Sequence, residues 1–238
     1  LMVIDMLLKE IYSEYDYNIE ITGVQTDSRF VKPGNLFLPI RGKNFEGDEF
    51  FIDAITKGAV AIVYDKAIHN LTIPVIIVDN LEKELFRLID LIYEKPYNEL
   101  TMIGVTGTDG KTSVSTLTSY LLNHLSRCAN IGTNGIIYDK EIIDNVFTTP
   151  ILTQNYSLLR EFSNLGISYV SMEVSSQGIA NKRIEGILYD YAIFTNLSHE
   201  HLDTHKTMHN YFLTKLKLFK QLKNQGIMIV NKDDYYAK

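Results

Sequence analysis

Residues 104–112 read Gly-Val-Thr-Gly-Thr-Asp-Gly-Lys-Thr, and no other stretch of the chain carries so clear a chemical signature. Glycines there let backbone N–H groups converge on phosphate oxygens, and the start of a following helix adds positive potential. Lys111 is placed to span the outer phosphates, and the Thr112 hydroxyl to ligate Mg²⁺. The spacing differs from the common G-x4-G-K-[ST] form, because the position five before Gly110 is Val105. A glycine-rich turn capping an ordinary helix is the plainer alternative. An apolar strand before the loop, a helix after it and the Gly-Lys-Thr end together favour a nucleoside triphosphate site.

Lys215 is the second residue that stands out. On a helical wheel Tyr211, Phe212, Leu216, Leu218, Phe219 and Leu222 form one apolar face with Lys215 inside it, while Lys217 and Lys220 lie opposite. Apolar surroundings disfavour the ammonium, lower its pKa and free a neutral amine, the form that reacts with CO₂. A carbamate made that way would offer two oxygens to a hard cation. The alternative is a lysine whose stem covers the core while its head reaches water. Glu173 ends the apolar run ISYVSMEV, an unusual place for a carboxylate without a partner, although a structural salt bridge would explain it equally. Arg183 reads as a binding or a surface arginine with equal ease. His199, His201, His205 and His209 crowd one stretch, but zinc wants three or four convergent N or S ligands and no cysteine lies nearby. These histidines are expected to be mostly solvated.

The elements that must position these groups alternate between strand and helix, the pattern of an α/β protein. Before residue 98, strands are expected at 19–26, 35–40, 60–63 and 75–78, with helices at 48–57 and 81–93. The second helix stops at Lys95-Pro96, which marks a domain boundary near residue 98. After it, strands are expected at 101–105, 169–172, 192–195 and 226–230, and helices at 111–125, 153–165 and 209–223. The first of these helices should turn Val114, Leu117, Leu121 and Leu125 to one face. A mostly parallel sheet with ligands at the carboxyl ends of its strands follows from this order.

Composition limits the alternatives. The 238 residues are 45% hydrophobic and 22% charged, which suits a packed core. A net charge of −6 argues against general affinity for nucleic acid. A single cysteine, Cys128, excludes an internal disulfide framework and fits a reducing cytoplasm. No apolar run reaches the roughly 20 residues of a spanning helix, so membrane insertion is not expected. Oligomeric state is not readable.

Several segments, in order, resemble the Mur ligases of the MurE type. Beside TGTDGKT there are Gln25-Thr-Asp-Ser-Arg29 with Gly34-Asn-Leu-Phe-Leu38, Phe147-Thr-Thr-Pro150 (an NTTP-like segment), Met172-Glu-Val-Ser-Ser-Gln-Gly178 followed by Arg183, Phe194 to His205, and Tyr211-Phe-Leu-Thr-Lys215. The resemblance implies an N-terminal uridine-nucleotide domain at 1–98 and a central ATP-binding domain at 99–238. It also implies that a C-terminal domain for the incoming amino acid is absent and that this chain alone is weakly active or inactive.

The implied reaction is ATP-dependent addition of the third amino acid to UDP-N-acetylmuramoyl-L-alanyl-D-glutamate through an acyl phosphate, in bacterial cell-wall synthesis. Gly107, Thr108, Asp109, Gly110, Lys111, Thr112, Ser113 and Asn196 would then meet ATP. Thr112, Glu173, His201 and a carbamate on Lys215 would hold Mg²⁺, with Lys111, Lys215, Glu173 and His201 as the catalytic set. Ser28, Lys43, Asn44 and Phe45 would meet the uridine diphosphate end. Thr148, Thr149, Ser175 and Arg183 would meet the muramoyl-dipeptide end.

Asp109, Gln177, His199-Glu200 and Thr204 depart from the family's pattern, and which amino acid is added is unreadable. Competing readings are a folylpolyglutamate-type ligase, which lacks the N-terminal block, and a non-catalytic protein that only binds the sugar peptide or nucleotide.

Overall fold

The computed structural model describes residues 6–40, 48–200 and 202–237. The chain divides into two compact units, Leu1–Lys95 and Pro96–Lys238. In the first, strands β1 (Met6–Leu7) and β2 (Glu20–Ile21) form a short antiparallel pair. Strands β3 (Gly23–Gln25), β4 (Asn35–Phe37), β5 (Ala61–Tyr64) and β6 (Val75–Ile77) form a parallel four-stranded sheet in that order. Helices α1 (Leu8–Ile11), α2 (Phe51–Thr56) and α3 (Leu81–Tyr93) accompany them. Asn80 caps α3 by accepting from Lys83 N at 2.8 Å, and the helix stops where Glu94 turns left-handed two residues before Pro96. The core of the unit gathers Phe37, Phe51 and Tyr64, with the Phe51 ring edge-on to Tyr64.

The second unit is built on a seven-stranded sheet. Its strands are β7 (Thr101–Thr106), β8 (Cys128–Gly132), β9 (Gly135–Tyr138), β10 (Glu141–Ile143), β11 (Tyr169–Glu173), β12 (Tyr189–Phe194) and β13 (Leu222–Val230). Their spatial order is β10-β9-β8-β11-β7-β12-β13, parallel from β8 to β13 and antiparallel across β8, β9 and β10. Five helices complete it: α4 (Lys111–Leu122), α5 (Leu152–Asn164), α6 (Ser176–Ala180), α7 (Leu202–His205) and α8 (Met208–Leu216). The carboxyl ends of β7, β8, β11 and β12 therefore lie along one edge, as adjacent parallel strands require.

Three features around the site differ from the sequence expectations. Strand β8 and the hairpin β9–β10 were not anticipated; the chain turns back on β8 through Gly135, whose φ of +105 would strain a side chain. The helix expected over 209–223 ends at Leu216. Lys217 N and Leu218 N bond three residues back, the last turn tightens, Leu218 is buried, and β13 begins at Leu222 to pair with Tyr189.

The third difference is the buried face of α4. Leu117, Leu121 and Leu125 are 60%, 63% and 76% exposed, whereas Ser115 and Ser119 are buried. Small residues let the helix sit close to the sheet, and Ser171 Oγ donates to Ser115 O at 2.9 Å. Exposed apolar side chains also mark edge strand β13 at Ile227, Met228, Ile229 and Val230.

These contacts predict opposite outcomes for Ser119 on α4 and Leu125 in the turn that follows it. Leu125→Ala should change unfolding free energy in urea by less than about 0.5 kcal/mol. Ser119→Leu should cost about 1–3 kcal/mol by overpacking. A large loss at Leu125 and none at Ser119 would reverse the assignment of the buried face.

Candidate functional site

Strand β7 is apolar and buried along almost its whole length and ends at Thr106, beyond which the chain turns through Gly107 (φ +153) and Gly110 (φ +77) into α4. At Gly107 a Cβ would collide with the Thr195 hydroxyl, so the close approach of the segment after β12 requires glycine. That segment clasps the loop. Asn196 Oδ1 accepts from Asp109 N at 2.9 Å, and its amide donates to Asp109 O at 3.1 Å. Thr108 N donates to Asn196 O at 2.9 Å, and Ser198 Oγ to the Asp109 carboxylate at 3.1 Å. Ser113 is exposed on the first turn of α4.

Lys111 Nζ donates to Thr108 O at 2.6 Å and Gly107 O at 3.2 Å. Lys215, from α8, donates to the same Gly107 carbonyl at 2.6 Å and is only 1% exposed. Burial first, and the neighbouring Lys111 charge second, bring its pKa down to about 7. Its amine lies 4.5 Å from the centre of the Tyr211 ring, and that ring stacks on His205 with the centroids 5.0 Å apart. Among the described histidines of the cluster, His199 and His209 are exposed, as expected of most of them, and His205 is buried where it stacks on Tyr211.

Glu173 ends β11 with its carboxylate buried, at 1% exposure. Thr112 Oγ1 donates to its Oε2 at 2.9 Å, and Thr133 N to its Oε1 at 2.8 Å. The Thr133 hydroxyl reaches the same carboxylate at 3.3 Å and the Thr148 hydroxyl at 3.1 Å. A Cβ on Gly132 would run into the Glu173 side chain. Thr133 was missed in the sequence because a threonine after an unrecognised strand carries no signal of its own.

Thr149 is fully buried and its hydroxyl is committed internally, donating to Glu173 O at 3.0 Å and accepting from Ser175 N at 2.9 Å. Arg183 Nη1 donates to Thr149 O at 2.9 Å, and burial lowers the guanidinium's pKa.

These groups face one cleft of about 350 Å³. Of the expected site residues, Lys111, Thr112, Glu173, Lys215, Thr148, Ser175 and Arg183 line it; Thr149, the 107–110 loop, Ser113 and Asn196 do not. Thr133, Phe147, Gln177 and Tyr211 line it as well, none of them singled out as site residues beforehand. Ser28 lies in the first unit, buried at the start of a 3-10 turn over Ser28–Phe30. It helps Lys57 hold the Asp53 carboxyl below the usual range. Lys43, Asn44, Phe45 and His201 lie outside the described residues.

The Thr112 hydroxyl and the Glu173 carboxylate are hard oxygen donors 2.9 Å apart beside a phosphate loop. Among the described residues no group of three or more His, Cys, Asp or Glu could hold a metal ion. This donor set fits Mg²⁺, which keeps waters and phosphate oxygens and needs few protein ligands.

The family model of the Mur ligase middle domain matches residues 105–238, and that of the Mur ligase family, catalytic domain, matches residues 20–89. This chain belongs to the Mur ligase family. It is 38% identical over 232 residues to the UDP-N-acetylmuramoyl-L-alanyl-D-glutamate–2,6-diaminopimelate ligase of Haemophilus influenzae (strain PittGG), covering 93% of this chain and 47% of that protein. It is 41% identical over 224 residues to UDP-N-acetylmuramyl-tripeptide synthetase 2 of Oceanobacillus iheyensis, covering 90% and 45%. A solved structure of a UDP-N-acetylmuramoyl-L-alanyl-D-glutamate–2,6-diaminopimelate ligase matches with a TM-score of 0.73 at 26% identity, over 98% of this chain and 48% of that one. The MurF ligase of Thermotoga maritima shares the fold, with a TM-score of 0.60 at 23% identity over 89% and 46%. The chain spans about half the length of the curated Mur ligases it matches.

The low pKa of Lys215 has a measurable consequence in CO₂-free buffer. Its folded value of about 7 lies below the ordinary 10.5, so the unfolded chain holds more proton between those limits and stability rises with pH there. Below pH 7 the charged lysine should cost on the order of a few kcal/mol, relieved as pH climbs. Lys215→Met should therefore exceed the wild type in stability most below pH 7, and the gap should close towards pH 10.5, apart from a constant offset for the lost Gly107 bond. A gap independent of pH, in denaturant unfolding, would show that Lys215 is not held at a lowered pKa.

Proposed function

We propose that this chain forms the sugar-nucleotide-binding and ATP-binding portions, residues 1–98 and 99–238, of an ATP-dependent amide ligase. The reaction is addition of the third amino acid to UDP-N-acetylmuramoyl-L-alanyl-D-glutamate for peptidoglycan synthesis. The observation that carries this reading is the convergence of Lys111, Glu173, Lys215 and Arg183 on one cleft beside the phosphate loop. Relatives that bear the name of such ligases cover nearly the whole chain and support it.

The D-glutamyl carboxylate attacks the γ-phosphorus of ATP and ADP leaves; the amine of the incoming amino acid then attacks the acyl phosphate, loses a proton and releases phosphate. Two anions must approach each other in the first step, so electrostatic neutralisation is the main demand. Lys111 would meet the phosphates, and Thr112 with Glu173 would hold Mg²⁺. When bound, Mg²⁺ would supply positive charge that offsets the charge of the phosphates. Thr148, Ser175 and Arg183 would take the peptide end of the substrate, and Ser28 with the 43–45 segment the uridine diphosphate end. In this reading Asn196 orders the loop through Asp109, and His201 adds a further metal ligand.

Lys215 is assigned a modification. Its neutral amine forms an N–C bond to CO₂ and releases a proton to solvent, giving a carbamate that adds two oxygens to the metal site. The reading puts the reaction in the cytoplasm, where ATP is supplied. Among the described residues no helix is long and apolar enough to cross a membrane.

Calorimetric titration tests the assignment. The chain should bind both the sugar peptide and, with Mg²⁺, a non-hydrolysable ATP analogue. Lys111→Ala should weaken the analogue at least about tenfold, the loss of a charge-assisted contact of about 1.5 kcal/mol or more, and leave the sugar peptide alone. Unchanged analogue affinity would remove Lys111 from the phosphate site. Separately, ¹³C-bicarbonate should give the wild type a carbamate NMR signal that Lys215→Arg lacks; equal signals would exclude modification at Lys215.

A further inference from the structure

One contact in the cleft belongs to none of the roles assigned above. The guanidinium carbon of Arg183 lies 4.0 Å from the centre of the Phe147 ring. The backbone of Arg183 is fixed independently, since its N–H donates to Gly178 O at 2.9 Å and its carbonyl accepts from Asn155 Nδ2 at 2.8 Å. Its side chain is held by the Thr149 carbonyl through Nη1 and sits over the Phe147 ring. No carboxylate among the described residues pairs with it, and burial lowers its pKa with no acidic neighbour to oppose the shift.

The kind of restraint matters. A guanidinium has five N–H donors in one plane, and that plane is what recognises a carboxylate through two parallel hydrogen bonds. A carboxylate or amide partner would fix the group by taking in-plane donors. An aromatic face fixes it from above and takes none. Among the described residues only Nη1 is engaged, by Thr149 O, so the rest of the fork stays available to a ligand in the cleft. Where the resembled segment reads NTTP, this chain reads Phe-Thr-Thr-Pro over 147–150, placing a ring where an amide would compete for those donors.

We propose that Phe147 is a positioning residue: its ring orients Arg183 so that the free edge of the guanidinium receives a carboxylate of the peptide end of the substrate. The proposal rests on the substrate reading above and deepens it. It gives Phe147 a role in affinity for the acidic peptide and none in affinity for ATP.

Phe147→Tyr, which keeps the ring face, and Phe147→Leu, which keeps apolar bulk alone, separate orientation from simple packing. Each is titrated with UDP-N-acetylmuramoyl-L-alanyl-D-glutamate and, separately, with the ATP analogue and Mg²⁺. The Arg183 Nε–H and δ-protons are followed by NMR for the upfield displacement that an aromatic face imposes. The expected result is wild-type behaviour for Tyr. For Leu, the expected result is a loss of about 2- to 30-fold in sugar-peptide affinity, unchanged ATP-analogue affinity and no upfield displacement. Wild-type sugar-peptide affinity in Phe147→Leu, while Arg183→Ala loses it, overturns the role of Phe147 alone. A wild-type chain that shows the upfield displacement and binds the ATP analogue but not the sugar peptide overturns the substrate reading, and the carboxylate assignment with it.

Discussion

The carbonyl oxygen of Gly107 accepts hydrogen bonds from two amines, Lys111 on the helix that follows the loop and Lys215 on a helix over a hundred residues later. Two cations on one oxygen repel, and Lys215, almost fully buried, is the one with least access to water. Desolvation and repulsion therefore act in the same direction on it. The arrangement exists only because Gly107 leaves room for Thr195, which lets the segment after β12 close over the loop. A side chain at 107 would push that segment away and take the Asn196–Asp109 pair of bonds with it.

The opposite wall of the cleft is organised around a carboxylate. Glu173 gathers Thr112 from α4, and the backbone and hydroxyl of Thr133 from the turn after β8. A buried anion without such donors would be costly, so the turn at Gly132–Thr133 is a condition for Glu173 to sit where it does. Both walls follow from sheet topology. The loop leaves β7, Glu173 ends β11, Thr133 follows β8 and Thr195 follows β12, four neighbours in a parallel array. Groups scattered over ninety residues of sequence meet because parallel strands end on the same side.

That logic explains what could be read from the chain beforehand. The strand–loop–helix around Lys111 was legible because its signals are local: an apolar run, glycines at the turn and a lysine–threonine pair at a helix start. Lys215 was legible because one lysine within an apolar helical face is anomalous. The buried face of α4 was misread, since a leucine stripe predicts burial only if the helix has room to bury it; here small serines allow closer approach to the sheet. The turn into β9 carries a local signal, Asn134-Gly135 between apolar runs, that was left unread, whereas the early end of α8 depends on β13 pairing with β12, which no local pattern encodes. Phe147 and Thr133 were invisible as functional residues for the same reason. Their meaning lies in Arg183 and Glu173, which are 36 and 40 positions away in the numbering.

Placing one lysine beside another also bears on the chemistry assigned to Lys215. As an ammonium it is destabilised by burial and by Lys111; as a neutral amine it loses both penalties and gains nucleophilicity. As a carbamate it would carry the opposite charge, and the same short separation from Lys111 would turn from repulsive to attractive. The geometry that makes the cation unfavourable is thus the geometry that would reward its conversion to an anion, without moving either helix. The Tyr211 ring covers the amine's flank, a contact that favours the cation, while its hydroxyl lies 3.3 Å from the Thr108 hydroxyl at the loop. The ammonium has three N–H donors and a carbamate nitrogen has one, so conversion would leave a single donor for the loop carbonyl that Lys215 bonds. The phosphate loop and the state of Lys215 are therefore coupled through a single backbone oxygen.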